Sequence, residues 1–301
     1  MLKMYHRHQE PGSSAAYWEA FGGERPLAEH LRFCDVDPLR PLFTRVLAPG
    51  AVMLEGGCGR GQYVAYYAAR GAKVIGLDFA RDWLTAAHRE YPSLMLCAGD
   101  VGALPFADHT FDVYYSGGVV EHFEEGSDRA LAEARRVLKR DGVLLMSVPY
   151  LSPLRRMLAA VGRSEWRRVE APGVDGAPDV HDFHHGALRF YQYAYTIPEF
   201  TRLLQSAGFR VVETQGYAMV WGLYDIGPID RAAAWVVRRR HSATASHASV
   251  ASPSSNGSSR VPLAKRLIVS EDDTVPGAGW LVRAGRWLCA NMMMYVCKSE
   301  V

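Results

Sequence analysis

Short apolar runs, each followed by residues at helical spacing, repeat through the first half of the chain. Val52–Glu55, Lys73–Asp78, Leu94–Cys97, Phe111–Tyr115 and Val143–Val148 read as five strands. They are apolar almost throughout instead of alternating, the pattern of strands covered on both faces of a parallel sheet. The segments between them read as helices over 62–70, 81–90 and 127–140. In the last of these, Leu131, Ala134, Val137 and Leu138 share one face and basic residues fill the final turn. Gly71, Pro92 and Asp141-Gly142 supply the stops. Upstream, Asp37 caps a helix that has Pro38 at its first position and runs to Leu47. Downstream, Thr196 opens a helix that ends at Gly208, and Phe209–Glu213 is a further strand. A helix over Trp280–Leu288 precedes a last strand, Asn291–Cys297. Strands alternating with helices predict an α/β, doubly wound sheet whose strand-to-helix loops gather at one edge.

The pattern divides the chain into an N-terminal cap segment (1–36), a core (37–149), an insert or lid after strand five (150–195) and a C-terminal completion of the core (196–301). Residues 227–240 read as a helix, and 241–259 are Ser/Ala-rich with almost no bulky apolar residue, as in a flexible loop. Composition changes this picture little. Lys plus Arg number 34 against 32 acids, a net of +2 over 301 residues. That balance gives no general case for nucleic acid or for an anionic membrane surface. No window is apolar enough to span a bilayer, and the N-terminus lacks the apolar run of a signal peptide. Five widely spaced cysteines without a C-x-x-C pair point to a reduced, cytoplasmic chain. Nothing in the sequence sets an oligomeric state.

Candidate chemistry sits at the ends of successive strands. Strand one runs into Glu55, then Gly57, Gly59 and Gly61, a turn that places backbone N–H groups near a ligand. A dinucleotide site asks for G-x-G-x-x-G; this turn is G-x-G-x-G behind a carboxylate. A carboxylate repels a pyrophosphate at short range and suits a cationic amine. Asp78 ends strand two, seventeen residues after Gly61, where an acid can accept both hydroxyls of a ribose. Gly99-Asp100 follows strand three, with Asp100 placed for an exocyclic amine and Val101 and Phe79 as apolar walls. Ser116-Gly117 and Glu121-His122 follow strand four.

The segments Leu54-Glu55-Gly56-Gly57-Cys58-Gly59-Arg60-Gly61, Gly76-Leu77-Asp78, Gly99-Asp100 with Leu104-Pro105-Phe106, and Val120-Glu121-His122-Phe123 together resemble the class I S-adenosylmethionine-dependent methyltransferases, most closely the small-molecule type. The likeness covers roughly residues 38–149 and, less fully, 196–215. It implies a Rossmann-like seven-stranded sheet, mostly parallel with an antiparallel last strand, and S-adenosylmethionine as cofactor. It also implies that Gly57, Gly59 and Gly61 pack on the methionine part with Glu55 near its amine. Asp78 would take the ribose, Phe79, Asp100 and Val101 the adenine, and Ser116 and Gly117 would lie near the sulfonium. Tyr17, with Trp18, would close over the cofactor. Gly56 departs from the hydrophobic residue usual in the loop, and Gly118-Val119-Val120 from a more polar stretch. The implied reaction is methyl transfer to an oxygen, nitrogen or carbon of a small organic molecule. The alternatives are an RNA methyltransferase and a non-catalytic cofactor-binding partner protein.

Weaker candidates remain. His122, His181 and His184 are candidate general bases. His181-Asp182-Phe183-His184-His185 has metal-ligand residue types, but its spacing is not a helical pair and no metal is expected. Phe190–Tyr195 alternates aromatics, either as a substrate wall or as a strand edge packed on the core. Arg155, Arg156, Arg163, Arg167 and Arg168 read as a solvated basic face, or as the partner of an anionic substrate group.

Overall fold

The computed structural model describes residues 1–6, 18, 26–160, 189–223 and 263–300. Seven of its nine strands form one sheet: β2 (Val52–Gly56), β3 (Lys73–Asp78), β4 (Met95–Ala98), β5 (Phe111–Gly117), β6 (Leu138–Pro149), β8 (Phe209–Tyr217) and β9 (Met292–Ser299). The spatial order is β4-β3-β2-β5-β6-β9-β8. The first five of these are mutually parallel, and β9 runs antiparallel to both its neighbours. The last strand of the chain therefore slots between β6 and β8. This is the Rossmann-like architecture with an antiparallel last strand. The order turns at β2, and its neighbours β3 and β5 leave the crevice that such a reversal opens beyond the carboxyl ends of the strands.

Period-two alternation assigns the strand residues to two cores. Leu54, Tyr114, Leu144, Met146 and Tyr295 pack on one face with α5 (Asp128–Val137) and α7 (Ile197–Ser206). Met53, Val74, Val113, Tyr115, Leu145 and Met294 pack on the other with α1 (Leu27–Cys34), α2 (Arg40–Val46) and α3 (Gln62–Ala68). Burial on both faces is why these strands carry no polar alternation. Thr196 and Glu199 form a capping box at the start of α7, two orphan ends satisfied by each other's side chains.

Several local expectations are corrected. Asp37 does not cap a helix at Pro38: its carboxylate accepts the Leu39 N–H at 2.7 Å in a turn, and α2 starts at Arg40. Helix α5 stops at Val137, not at 140, because Leu138 already pairs with Phe111 at the start of β6. Of the basic residues in the insert, Arg155 is buried in α6 (Pro153–Ala160). Its guanidinium donates to the Tyr150 and Asn291 carbonyls at 3.0 Å each, so it ties α6 to β6 and β9 and has no solvated face. Arg163, Arg167, Arg168, the 227–240 helix and the 241–259 loop lie outside the described residues.

Phe190–Tyr195 is no substrate wall. Arg189–Ala194 forms β7, which pairs antiparallel with β1 (Leu2–His6) in a separate two-stranded sheet, and Phe190, Tyr193 and Tyr195 are buried in the core. The remaining described helices are α4 (Arg81–Glu90), α8 (Met219–Leu223), α9 (Leu263–Ile268) and α10 (Gly279–Cys289). Glu271 locks this C-terminal layer: it accepts the Met219 N–H at 2.6 Å and pairs with Arg286 of α10 at 3.3 Å.

Candidate functional site

The carboxyl ends of β2, β3, β4 and β5 and the turn after β5 surround a cavity of about 600 Å³, inside the span of small-molecule sites, roughly 300–1,000 Å³. Glu55, near the end of β2, projects into it from a buried position. Its Oε2 has no hydrogen-bond partner among the described residues. Burial pushes this carboxyl well above the ordinary range, with the nearby Asp78 charge adding to the rise and the Val64 backbone N–H opposing it. A buried acceptor left without a donor is costly unless something binds there.

The glycine turn behaves differently from its expected role as a display of free amides. The Gly57 and Cys58 N–H groups both donate to the Leu77 carbonyl, at 2.8 and 3.0 Å, and Gly61 N–H donates to Cys58. Gly59 N–H donates to Asp78 Oδ2 at 2.7 Å. The loop is thus stitched to the end of β3, and its amides are already used. What it provides is close approach. Gly57 has φ +76°, and a Cβ there would sit 2.3 Å from Val119 Cγ2. Gly56 departs from the hydrophobic residue usual in this loop for a similar reason, since its Cβ would meet the Tyr114 hydroxyl at 2.3 Å. Gly57→Ala should therefore lower unfolding stability by at least about 2 kcal/mol through left-handed strain and overlap. Denaturant titration measures it.

Asp78 is 5% exposed, and both its oxygens are held. Oδ2 takes the Gly59 N–H and Oδ1 the Ala80 N–H at 2.9 Å. Burial raises its pKa while these backbone donors oppose the rise. Each oxygen keeps a second lone pair, and together they can accept a vicinal diol. Phe79, Asp100 and the buried Val101 line the same end of the cavity. Asp100 is exposed, and its Oδ1 accepts the Gly102 N–H at 2.8 Å in an Asx turn. Gly117 also lines the cavity. Ser116 does not, because strand alternation turns its side chain to the face opposite Tyr115 and Gly117, where it is buried. Gly61 caps α3 with φ +72° and is likewise outside the lining.

His122 ends a 3₁₀ turn after β5 and faces the cavity. Its Nδ1 lies 2.7 Å from the Tyr191 carbonyl of β7. A carbonyl only accepts, so Nδ1 carries the proton and Nε2 is the basic nitrogen of the neutral ring. Trp18 packs edge-on against His122, with ring centroids 4.9 Å apart. Tyr17, His181 and His184 lie outside the described residues. Among the described residues no group of three His, Cys, Asp or Glu side chains could hold a metal ion.

The sequence reading missed several lining residues. Tyr63 and Tyr115 contribute rings from α3 and β5, and Trp83 packs 3.2 Å from the site of a Gly59 Cβ. His30 of α1 also lines the cavity with a buried Nε2 that has no partner among the described residues. No local pattern marks His30, since only tertiary packing brings α1 onto α3. Glu121 was read only as the neighbour of His122. It is 1% exposed with Oε2 unpartnered among the described residues, and burial pushes its carboxyl up to about 8. A carboxyl raised in the folded state stabilises the fold below its unfolded pKa, and that contribution is lost as pH rises through the folded value. Stability should therefore fall as pH rises from the ordinary carboxylate range toward about 8 on account of this group. Glu121→Gln should flatten that slope in denaturant midpoints taken across the interval.

Residues 54–146 match the family model described as a methyltransferase domain. Over those residues the chain is similar to the class I S-adenosylmethionine-dependent methyltransferases. Three curated proteins are similar to the chain. A Mycolicibacterium smegmatis protein named as an S-adenosylmethionine-dependent methyltransferase is 31% identical over 179 residues, 59% of each chain. The demethylmenaquinone methyltransferase of Renibacterium salmoninarum is 36% identical over 110 residues, 36% of this chain and 46% of its own. A Bacillus subtilis protein named for 23S rRNA guanine-N1 methylation is 34% identical over 114 residues, 35% and 38% of the two chains. The chain thus spans 38–59% of the length of these curated relatives. The acceptors named for the second and third, demethylmenaquinone and 23S rRNA, differ in kind. S-adenosylmethionine is the cosubstrate of this class, and the cavity fits it on its own evidence: an orphaned buried carboxylate for an amine, an anchored acid for a diol, and apolar walls between them.

Proposed function

We propose that the protein transfers the methyl group of S-adenosylmethionine to a nucleophilic atom of a small organic molecule. The observation that carries this reading is the shared cavity of Glu55 and Asp78, which continues past the glycine turn to His122 and an aromatic lining. Bound there, the cofactor supplies a methyl group on a sulfonium, already electrophilic. The protein's task is then to align, to exclude water and to accept a proton. Glu55 is assigned to the cofactor amine and Asp78 to the ribose hydroxyls. Phe79, Asp100 and Val101 flank the adenine, and the loop through Gly57 and Gly59 packs on the methionine chain, with Gly61 capping α3 behind it. Gly117 lies beside the sulfonium; Ser116 supports the strand end from the opposite face. His122 is assigned as the base for an acceptor that must lose a proton.

The acceptor half of the cavity favours a compact organic substrate. Trp18, Tyr63, Tyr115, Val119 and Phe123 make it apolar and aromatic. Incubation with methyl-labelled S-adenosylmethionine and a cell extract, followed by fractionation, tests the proposal. Label should enter the low-molecular-weight organic fraction. Label in RNA would replace the acceptor class, and cofactor binding without any labelled product would favour a binding module.

Cofactor affinity should also depend on pH. Glu55 is held above its ordinary pKa, and a cationic amine favours its charged form. Binding therefore releases a proton, and affinity rises with pH through the raised value. Glu55→Gln should remove both the proton release and the pH dependence in calorimetry run in two buffers of different ionisation enthalpy.

A further inference from the structure

The acceptor side of the cavity backs onto a buried polar cluster that has no part in the roles assigned above. Asp37, in the turn before α2, is its anchor. Its Oδ1 accepts the Leu39 N–H, and its Oδ2 accepts the hydroxyl proton of Tyr63, a residue of the cavity wall. Burial raises the Asp37 pKa, while the Tyr63 and Leu39 donors favour its charged form. Burial also raises the pKa of Tyr63, Tyr115 and Tyr217, and the Asp37 charge pushes each of them further. The three phenols and the carboxylate therefore act on one another. Rings hold Tyr63 in place: Phe43 stacks on it with centroids 5.5 Å apart, and Tyr115 meets it edge-on at 5.3 Å. Tyr115 lays its hydroxyl against Gly117, where a Cβ would sit 2.3 Å away. The cluster thus reaches the strand end assigned to the sulfonium.

A phenol has one proton. Tyr63 gives it to Asp37, so toward the cavity its oxygen offers lone pairs only, made more negative by the carboxylate behind it. His122 Nε2, with Nδ1 turned to the Tyr191 carbonyl, is likewise an acceptor on the cavity. Two acceptors call for two donors. A hydroxyl nucleophile carries one proton. A primary amine carries two and keeps its lone pair for the methyl group. Charge movement points the same way. Methylation of a neutral amine moves positive charge from sulfur to nitrogen. A carboxylate-backed phenol and the faces of Trp18 and Tyr63 stabilise that charge more in the transition state than in the ground state. Methylation of an alkoxide or carboxylate cancels charge instead. Among the described lining residues Arg60 is the one Lys or Arg to meet such an anion, and it is paired with Glu90 at 3.0 Å.

On the methyl-transfer reading above, we propose that Tyr63, held by Asp37, recognises a primary amine, and that the nitrogen of this amine is the methyl acceptor. The nitrogen lone pair forms the new N–C bond as the S–C bond breaks with its electron pair left on sulfur. The resulting ammonium passes one proton to His122 Nε2.

The product labelled from methyl-labelled S-adenosylmethionine and a cell extract tests this. Passed over a cation exchanger at neutral pH, the label should be retained and stable to base, and mass spectrometry should place the methyl on nitrogen. Label in the flow-through, whether released by base as methanol from an ester or base-stable as an ether, would overturn the amine proposal and leave methyl transfer standing. So would a methyl placed on oxygen or carbon. No label in any fraction would fail methyl transfer itself and the proposal with it. Once the amine is identified, Tyr63→Phe should weaken its calorimetric binding to the cofactor-free protein by about tenfold. Asp37→Asn should raise its KM by about tenfold. Asparagine keeps an acceptor for the Leu39 N–H but turns an NH₂ toward Tyr63, whose proton then points into the cavity against an N–H donor. S-adenosylmethionine affinity should stay at the wild-type value in both variants, which reports intact folding. Unchanged amine binding by Tyr63→Phe would overturn the proposal. Loss of cofactor binding in step with amine binding would do the same, since the cluster would then be structural.

Discussion

Asp78→Ala weakens S-adenosylmethionine binding by about a hundredfold or more in isothermal titration. The effect is large because Asp78 serves two ends. Its two oxygens accept the Gly59 and Ala80 N–H groups, fixing the glycine turn against the end of β3. Its remaining lone pairs face the cavity, where two charge-assisted hydrogen bonds to a ribose diol contribute about 1.5–3 kcal/mol each. Alanine removes both bonds and leaves the Gly59 amide without its acceptor, so the loop loosens as well. Asp78→Asn separates the contributions. It keeps one acceptor oxygen but puts an NH₂ toward a donor or toward the ribose, so binding should fall to an intermediate level. An affinity within threefold of the wild type for the alanine variant would remove Asp78 from the cofactor site.

His122→Asn lowers kcat by about 10²–10⁴-fold, the range of a lost general base, with little change in cofactor affinity. Asparagine keeps a short donor for the Tyr191 carbonyl, so the turn after β5 holds its place while the basic Nε2 disappears. A structural role would instead shift stability and leave kcat intact. If kcat stays within about twofold of the wild type, the acceptor needs no base and His122 serves as packing for Trp18, 4.9 Å away.

The strand-end side of the cavity is readable because its residues lie at strand ends, and strands announce themselves by apolar runs. Glu55, Asp78, Asp100, Val101 and Gly117 follow such runs by fixed short distances, so locating the strands located them. Ser116 shows the limit of that logic: position along β5 is local, but the side of the sheet is set by register, and register sends Tyr115 and Gly117 to the cavity. The glycine turn shows another. Its composition was legible, yet the destination of its amides, the Leu77 carbonyl and the Asp78 carboxylate, depends on the neighbouring strand. The arginines of the insert looked solvated, and burial of Arg155 against two backbone carbonyls appears only once β9 is in place.

By itself the sequence determined the doubly wound α/β class, the sheet edge that carries the cavity and most of the strand-end residues that line it, because hydrophobic periodicity and turn glycines are local properties of the backbone. Tertiary structure alone decided the rest of the lining. His30 comes from α1, Trp18 from the N-terminal segment, Tyr63 from α3, and His122 is oriented by the Tyr191 carbonyl of a strand sixty-nine residues away. Those contacts join segments distant in sequence, and no periodicity encodes them: they exist because sheet closure leaves one crevice, and whichever side chains border it become its walls.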